Sequence, residues 1–422
     1  MEVVSDVKIG KVLSTFIEYM FVFVTILQCN TVYFRSGLNN RIQIMWFGIC
    51  FLLVCISLFE MIIKSYNIKQ LVLSLTIFLA FMVTILFLDY QIYPFPIKKE
   101  ISQFIIIPFM MVIIFYNKIL AGEGLDLLVK VERVMLILAG ISLFFWGVSE
   151  LGVPTNMATF ITWGNYQQIS GYNNVHFIAQ GITKFLGMTL IRNTGIFVEA
   201  PMYSYALTVS FLVLLFIDGG TKKSRILKAV VLLATIFTTT STTGVIVSIL
   251  AIAYYEFFIV DRISLVFKVL IILLGLIAVG VLIKIILLQK LSSNWNSSSS
   301  IRMNDLLSGL SAWKNNIVFG NGLENYQILL DYMDPRRLGF NGNMGFSSGL
   351  MQVLAYGGIA MGLFYIIPSI MGMLVSKKMF GFSSICFLLF IFTIVNDTYL
   401  YFIILSAFFA SFLLRKKYKE GE

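Results

Sequence analysis

The sequence predicts an all-α, polytopic integral membrane protein with about twelve transmembrane helices and two large external loops. The first observation is composition: 59% of the 422 residues are hydrophobic and only 12% charged, against roughly 25% charged in soluble domains. The second is the succession of apolar runs, most of them near the ~17 to 25 residues that cross a bilayer. The third is the placement of lysine and arginine at alternate ends of those runs, which orients the chain.

The runs fall near 13–33, 44–63, 70–88, 104–117, 134–149, 197–217, 226–241, 243–260, 265–288, 349–375, 379–395 and 398–414. The first follows a charged segment and has no small-residue cleavage site, so it reads as a retained signal-anchor. Placing the N-terminus in the cytoplasm puts Lys64, Lys69, Lys118, Lys130, Arg133, Lys222, Lys223, Arg225, Lys377 and Lys378 on the inner side. The even number of spans returns the basic tail Arg415 to Lys419 to the same side, so the expected site is the cell membrane with both termini cytoplasmic. The short outer connections hold only Arg35, Arg41, Lys98 and Lys99. The net charge of +10 is thereby absorbed largely as an orientation signal, and no nucleic-acid surface is expected. Cys29, Cys50, Cys55 and Cys386 lie in or beside apolar runs without metal-ligand spacing, so neither disulfides nor a zinc site is expected.

The chain reads as one transmembrane domain over 1–422 with two external caps, 151–197 and 290–348. Structureless loops beyond about 15 residues are usually functional or disordered, and the apolar, helix-patterned pieces of these two argue for order. In the first, the stretch from Val175 to Met188 reads as a short helix lying on the membrane surface. In the second, a flexible polar stretch around Asn294 to Ser300 leads into Ile301 to Lys314, where Met303, Leu306, Leu307, Leu310 and Trp313 have the spacing of an interfacial helix. Glycine-rich turns follow at Gly320 to Tyr326 and at Asp334 to Gly339.

Charges at a membrane boundary are costly and are retained where they face a cavity or a partner. Arg192 and Glu199 flank the start of the sixth run, and Pro201 places that helix start near Ala200, because proline is tolerated in a first helical turn. Glu199 then either complements the helix dipole, pairs with Arg192, or works on a substrate. Arg302 and Asp305 are three apart on a helix, the spacing of a local ion pair. Arg336 and Arg337 stand beside Asp334 in a turn. His176, the single histidine, is by residue type a candidate base, but its apolar flanks Val175 and Phe177 fit a structural place equally. Glu18 is deep in the first run and is expected either to pair or to relay protons. Hydroxyls of Thr238 to Gly244 would satisfy a tight turn or bind a sugar or phosphate. Tyr33, Tyr90, Trp163 and Tyr166 fit either an interfacial belt or a sugar-stacking surface.

Three patches resemble the O-antigen and capsule repeat-unit polymerase family, the Wzy type, which is grouped with the O-antigen ligases. They are Arg192-Asn-Thr-Gly-Ile-Phe-Val-Glu-Ala-Pro201; Ser300-Ile-Arg-Met303 with Trp313 and Val318-Phe-Gly-Asn-Gly-Leu-Glu-Asn-Tyr326; and Ser347-Ser-Gly-Leu-Met-Gln-Val-Leu-Ala-Tyr-Gly-Gly-Ile359. Where many members, the ligases especially, carry a His-Asn pair before the leucine matching Leu350, this chain has Phe346 and Ser347. The resemblance implies glycosyl transfer at the outer face. A polyprenyl-diphosphate-linked chain would be donor, a lipid-linked oligosaccharide acceptor, and flippase and chain-length regulator proteins partners.

On that implication Arg192 and Arg302 hold the diphosphate, Glu199 is the base, and His176, Asp305, Arg336 and Arg337 are candidate substrate-binding residues; no metal or other cofactor is expected. The alternatives are an O-antigen ligase-type transferase and a lipid-linked oligosaccharide flippase or transporter; the latter class is expected to show matching halves, which this chain lacks. Reporter fusions at Asn165 and Trp295 should both report the external side, and a cytoplasmic signal at either would contradict the topology.

Overall fold

The computed structural model describes residues 2–185, 187–260, 298–339 and 344–420. The expected ninth run, 265–288, lies outside them, as does most of the polar stretch before Ser300. The described chain is mostly helical: α1 Glu2–Gln28, α2 Asn39–Ile63, α3 Lys69–Ile92, α4 Ile97–Ile101, α5 Ile107–Leu120, α6 Asp126–Glu150, α7 Ala200–Phe216, α8 Lys222–Thr238, α9 Thr242–Tyr254, α10 Ser298–Asn315, α11 Gln327–Asp331, α12 Gly349–Met373, α13 Lys377–Phe392, α14 Tyr399–Leu413 and α15 Arg415–Glu420. Among the described residues five helical stretches are long and apolar enough to cross a membrane: Phe34–Ile63, Lys69–Ile92, Ile97–Leu120, Thr242–Ile259 and Gly349–Met373. Val12–Gln28, Ala200–Phe216 and Tyr399–Leu413 are apolar but shorter.

Helix α7 is the hub. It is apolar on every side, as a helix enclosed by others must be, and it packs against α6, α8, α9 and α13. By contrast α3 stands at the rim, with Val72, Leu73, Ile77, Val83 and Phe87 exposed. Glu18, deep in α1, is no orphan: Lys118 and Lys130 each approach one of its carboxylate oxygens at 2.6 Å.

The first cap departs from expectation. It is built of strands, not a surface helix: β1 Met157–Trp163, β2 Asn165–Tyr172 and β3 His176–Ile178 form an antiparallel meander, and β4 Ile182–Phe185 pairs with β5 Met188–Ile191. The physical reason lies in the turns. Asn173 and Asn174 both adopt positive φ, 49° and 58°, as a tight hairpin turn between twisted strands requires. The alternation of strand side chains then brings Ile161, Ile169 and Phe177 into one small core with Val32 and Val198.

The segment after β5 is laid beside the end of α1, with Val32 N–H donating to the Ile196 carbonyl (2.9 Å) and Val198 N–H to that of Asn30 (3.0 Å). It is also tied to β3, Thr194 Oγ1 donating to the Phe177 carbonyl at 2.6 Å. Helix α7 starts at Ala200, and Glu199 is its N-cap residue in extended conformation.

In the second cap α10 forms where its periodicity places it, but with a different face inward. Asp305, Ser308 and Ala312 are buried, whereas Leu307 is exposed. The inward face is small and polar because α10 lies close on α12, where a β-carbon on Gly309 would stand 2.6 Å from that of Met351. Beyond α10 the chain runs as a ribbon along a break in α12. Ile359 N–H donates to the Ile317 carbonyl (2.9 Å), Ala360 N–H to Val318 (2.9 Å) and Gly322 N–H to Tyr356 (2.8 Å).

Gly358 has φ +58°, and a β-carbon there would lie 2.3 Å from the Val318 carbonyl oxygen. Only glycine fits, because both the backbone conformation and the clash exclude a side chain. Gly358→Ala should therefore destabilise the protein by about 2 kcal/mol or more. Gly48→Ala, where nothing lies within 4 Å, should leave it unchanged. Thermal unfolding in detergent compares them, and equal midpoints would contradict the docking described.

Candidate functional site

The two caps meet over the turn between α8 and α9. That turn, Thr239 to Ser241, is buried, and Thr240 has the positive φ of 56° that lets the chain reverse there. Asn193 fixes the first cap to it: its backbone N–H donates to the Thr238 carbonyl (3.1 Å) and its side-chain amide to Thr238 Oγ1 (3.0 Å). Next door, Arg192 Nε donates to Thr240 Oγ1 at 2.9 Å. From the other cap, Arg302 donates to Thr243 Oγ1. The turn and the first residues of α9 thus hold an arginine from each cap, and burial acts on both. Burial lowers the Arg192 guanidinium below its ordinary pKa, and the nearby Arg302 charge lowers it further, against Glu199. Burial lowers Arg302 as well.

Neither arginine has the carboxylate partner that sequence spacing offered it. Asp305 points away from Arg302 and accepts instead from Arg337 Nη1 (2.7 Å), Ser347 N–H (3.0 Å) and Ser347 Oγ (2.5 Å). Burial pushes the Asp305 carboxyl up, and Ser347 and Arg337 pull it back. Arg337 is itself buried, with further bonds to Asn304 Oδ1 (2.7 Å) and the Gly345 carbonyl (2.6 Å). Both residues hold the second cap together and are placed as structural, not ligand-facing, groups. Arg336 grips Asp334 with two bonds of 2.9 Å on the exposed side of the turn.

The Glu199 side chain makes no hydrogen bond or ion pair with any described residue, although its backbone carbonyl accepts from Tyr203 N–H at 3.2 Å. It is partly exposed, and burial raises its carboxyl to about 7, with Arg192 and then Arg35 opposing. The arrangement is therefore a cluster of the Arg192, Arg302 and Arg35 guanidiniums around one carboxylate that is easily protonated near neutral pH. His176 lies elsewhere. It is 1% exposed, packed beside Phe145 and Tyr172 with Nδ1 unpartnered, and burial pushes it down to about 4. A neutral, enclosed imidazole fills space in the first cap, apart from the arginines. Phe346 is buried and Ser347 is committed to Asp305, so the place of the His-Asn pair carries no base.

Sequence reasoning missed two participants. Arg35 had been counted only among outer basic residues, yet it bonds Asn30 Oδ1 (Nε 2.9 Å) and lies 5.0 Å from the ring of Trp163. Trp163 thus supports a cation, beyond any interfacial place it holds. Asp397, in the link between α13 and α14, is exposed, and its charge acts on Arg35 as that of Glu199 does. A charge between two apolar runs was its sequence signal, the same signal that singled out Glu199. The hydroxyls of Thr240 and Thr243 belong to the stretch Thr238 to Gly244 that the sequence did single out, and here they accept from Arg192 and Arg302. Among the described residues no group of three or more His, Cys, Asp or Glu side chains is placed to hold a metal ion. No family model matches the chain, and no curated protein is significantly similar to it.

Proposed function

We propose that this chain is a glycan polymerase that transfers a polyprenyl-diphosphate-linked chain onto a lipid-linked oligosaccharide repeat unit at the outer face of a cell membrane. The observation that carries the reading is the convergence of Arg192 and Arg302, from separate caps and without carboxylate partners, on the threonine turn and the first residues of α9, beside an unpaired Glu199. Two half-buried like charges held together are costly unless an anion joins them. A diphosphate suits them because the planar guanidinium offers parallel donors to phosphate oxygens. The family resemblance of the same patches supports the choice of a lipid diphosphate, and twelve spans with cytoplasmic termini would set both caps outside.

In the reaction the acceptor hydroxyl oxygen attacks the anomeric carbon of the donor sugar, and Glu199 takes its proton. The bond from that carbon to the diphosphate oxygen breaks and its electron pair leaves with the diphosphate. Arg192 and Arg302 meet the charge that develops there, in a site already desolvated. Chain-length regulator and flippase proteins would be partners of such an enzyme in capsule or O-antigen assembly.

In membranes carrying native lipid-linked repeat units, Arg192→Lys and Arg302→Lys should each abolish long-chain polymer at normal protein level, a loss of about a hundredfold or more in rate. Glu199→Gln should do so while repeat units accumulate. Because the carboxylate is the active form and its pKa is near 7, the wild-type rate should rise as pH increases through about 7. Asp305→Ala, by contrast, should lower the amount of folded protein, since it leaves Arg337 buried without its partner. Wild-type chain length in either lysine variant would remove that arginine from the mechanism.

A further inference from the structure

Arg35 links the arginine pair to a second space. Asp397 lines a cavity of about 360 Å³ together with Lys99, Glu100, Gln103, Glu324 and Asn396. That volume is within the ~300 to 1,000 Å³ of small-molecule sites. Its electrostatic character is the reverse of the arginine cluster. Lys99 is already paired with Glu324, so Glu100 and Asp397 leave the lining acidic. Glu100 is only 3% exposed, and its side chain has no hydrogen bond or ion pair with any described residue. Asn396 Oδ1 is likewise buried without a partner. Buried polar groups are normally satisfied, and the remaining acceptors call for a ligand rich in donors. The rings of Phe104 and Tyr365 form part of the wall, an apolar surface for the C–H face of a sugar.

We infer that this cavity seats a neutral, hydroxyl-rich sugar ring, the acceptor glycan, with Glu100, Asn396 and Asp397 accepting from its hydroxyls. An acidic lining repels a diphosphate or a uronic acid, whereas the arginine cluster attracts them, so the two substrates are sorted by charge. The word acceptor rests on the polymerase reading; the sugar site itself does not.

The experiment uses the full chain in lipid nanodiscs and ligand-observed NMR with neutral methyl hexopyranosides and methyl glucuronide as probes. Saturation transfer to at least one neutral hexoside is expected, with none to the glucuronide. Glu100→Ala should weaken binding about tenfold or more, the effect of losing a charged hydrogen-bond acceptor. Gln103→Trp, which fills the cavity and keeps its carboxylates, should do the same; a thermal midpoint equal to wild type qualifies each variant. Arg192→Lys should bind as wild type does. No hexoside binding, equal binding of the glucuronide, or binding untouched by both cavity variants would overturn the proposal. Hexoside binding that needs Glu100, in a protein whose Arg192→Lys form still makes full-length polymer, would uphold the cavity and sink only the diphosphate clamp.

Discussion

The turn between α8 and α9 fixes where the arginine cluster forms. It is buried, it reverses through a positive φ at Thr240, and the Thr240 and Thr243 hydroxyls receive Arg192 from one side and Arg302 from the other. Guanidiniums are long and mobile, and two of them repel. Holding both near one point requires fixed acceptors that do not neutralise them, which threonine oxygens are and carboxylates are not. An arginine paired with aspartate is a closed unit; an arginine bonded to a hydroxyl keeps most of its donors for another anion.

The remainder of the architecture keeps those two side chains in register. Asn193 stitches the first cap to Thr238, while the strand-like segment behind it is clamped between α1 and β3. The second cap has its own anchor in Asp305 and Arg337, and the ribbon from Ile317 to Gly322 docks on the break in α12 at Gly358. Each cap thus reaches the turn on a short, backbone-bonded path. The carboxylates are divided correspondingly: Glu199 stands with the arginines, and Glu100 and Asp397 stand in the adjoining acidic cavity, with Arg35 between the two sets of charges.

Much of this was legible in the sequence where a residue has one dominant physical preference. Pro201 fixed the start of α7 at Ala200, because proline belongs in a first turn. The spacing from Ile301 to Lys314 marked α10 as a helix, and Arg192, Glu199 and Arg302 stood out because charges at an apolar boundary are costly. What was not legible depended on tertiary partners. The first cap's strands were hidden because its apolar residues fit a helix as well as a hairpin, and only the Asn173-Asn174 turn decided between them. Spacing paired Arg302 with Asp305, but Arg337 and Ser347, 32 and 42 residues away in sequence, took the carboxylate. The buried face of α10 was misjudged because small residues permit a close approach that hydrophobicity alone does not signal.

The proposed role of Arg192 and Arg302, held free of carboxylates, is to bind a lipid diphosphate. Its most direct measurement is the affinity of the nanodisc-embedded full chain for undecaprenyl diphosphate, by titration at fixed ionic strength, in wild type, Arg192→Lys, Arg302→Lys and the exposed control Arg336→Lys. The account predicts saturable binding that weakens about tenfold or more in each of the first two variants and is unchanged in the third. Equal affinity in all four proteins would contradict it.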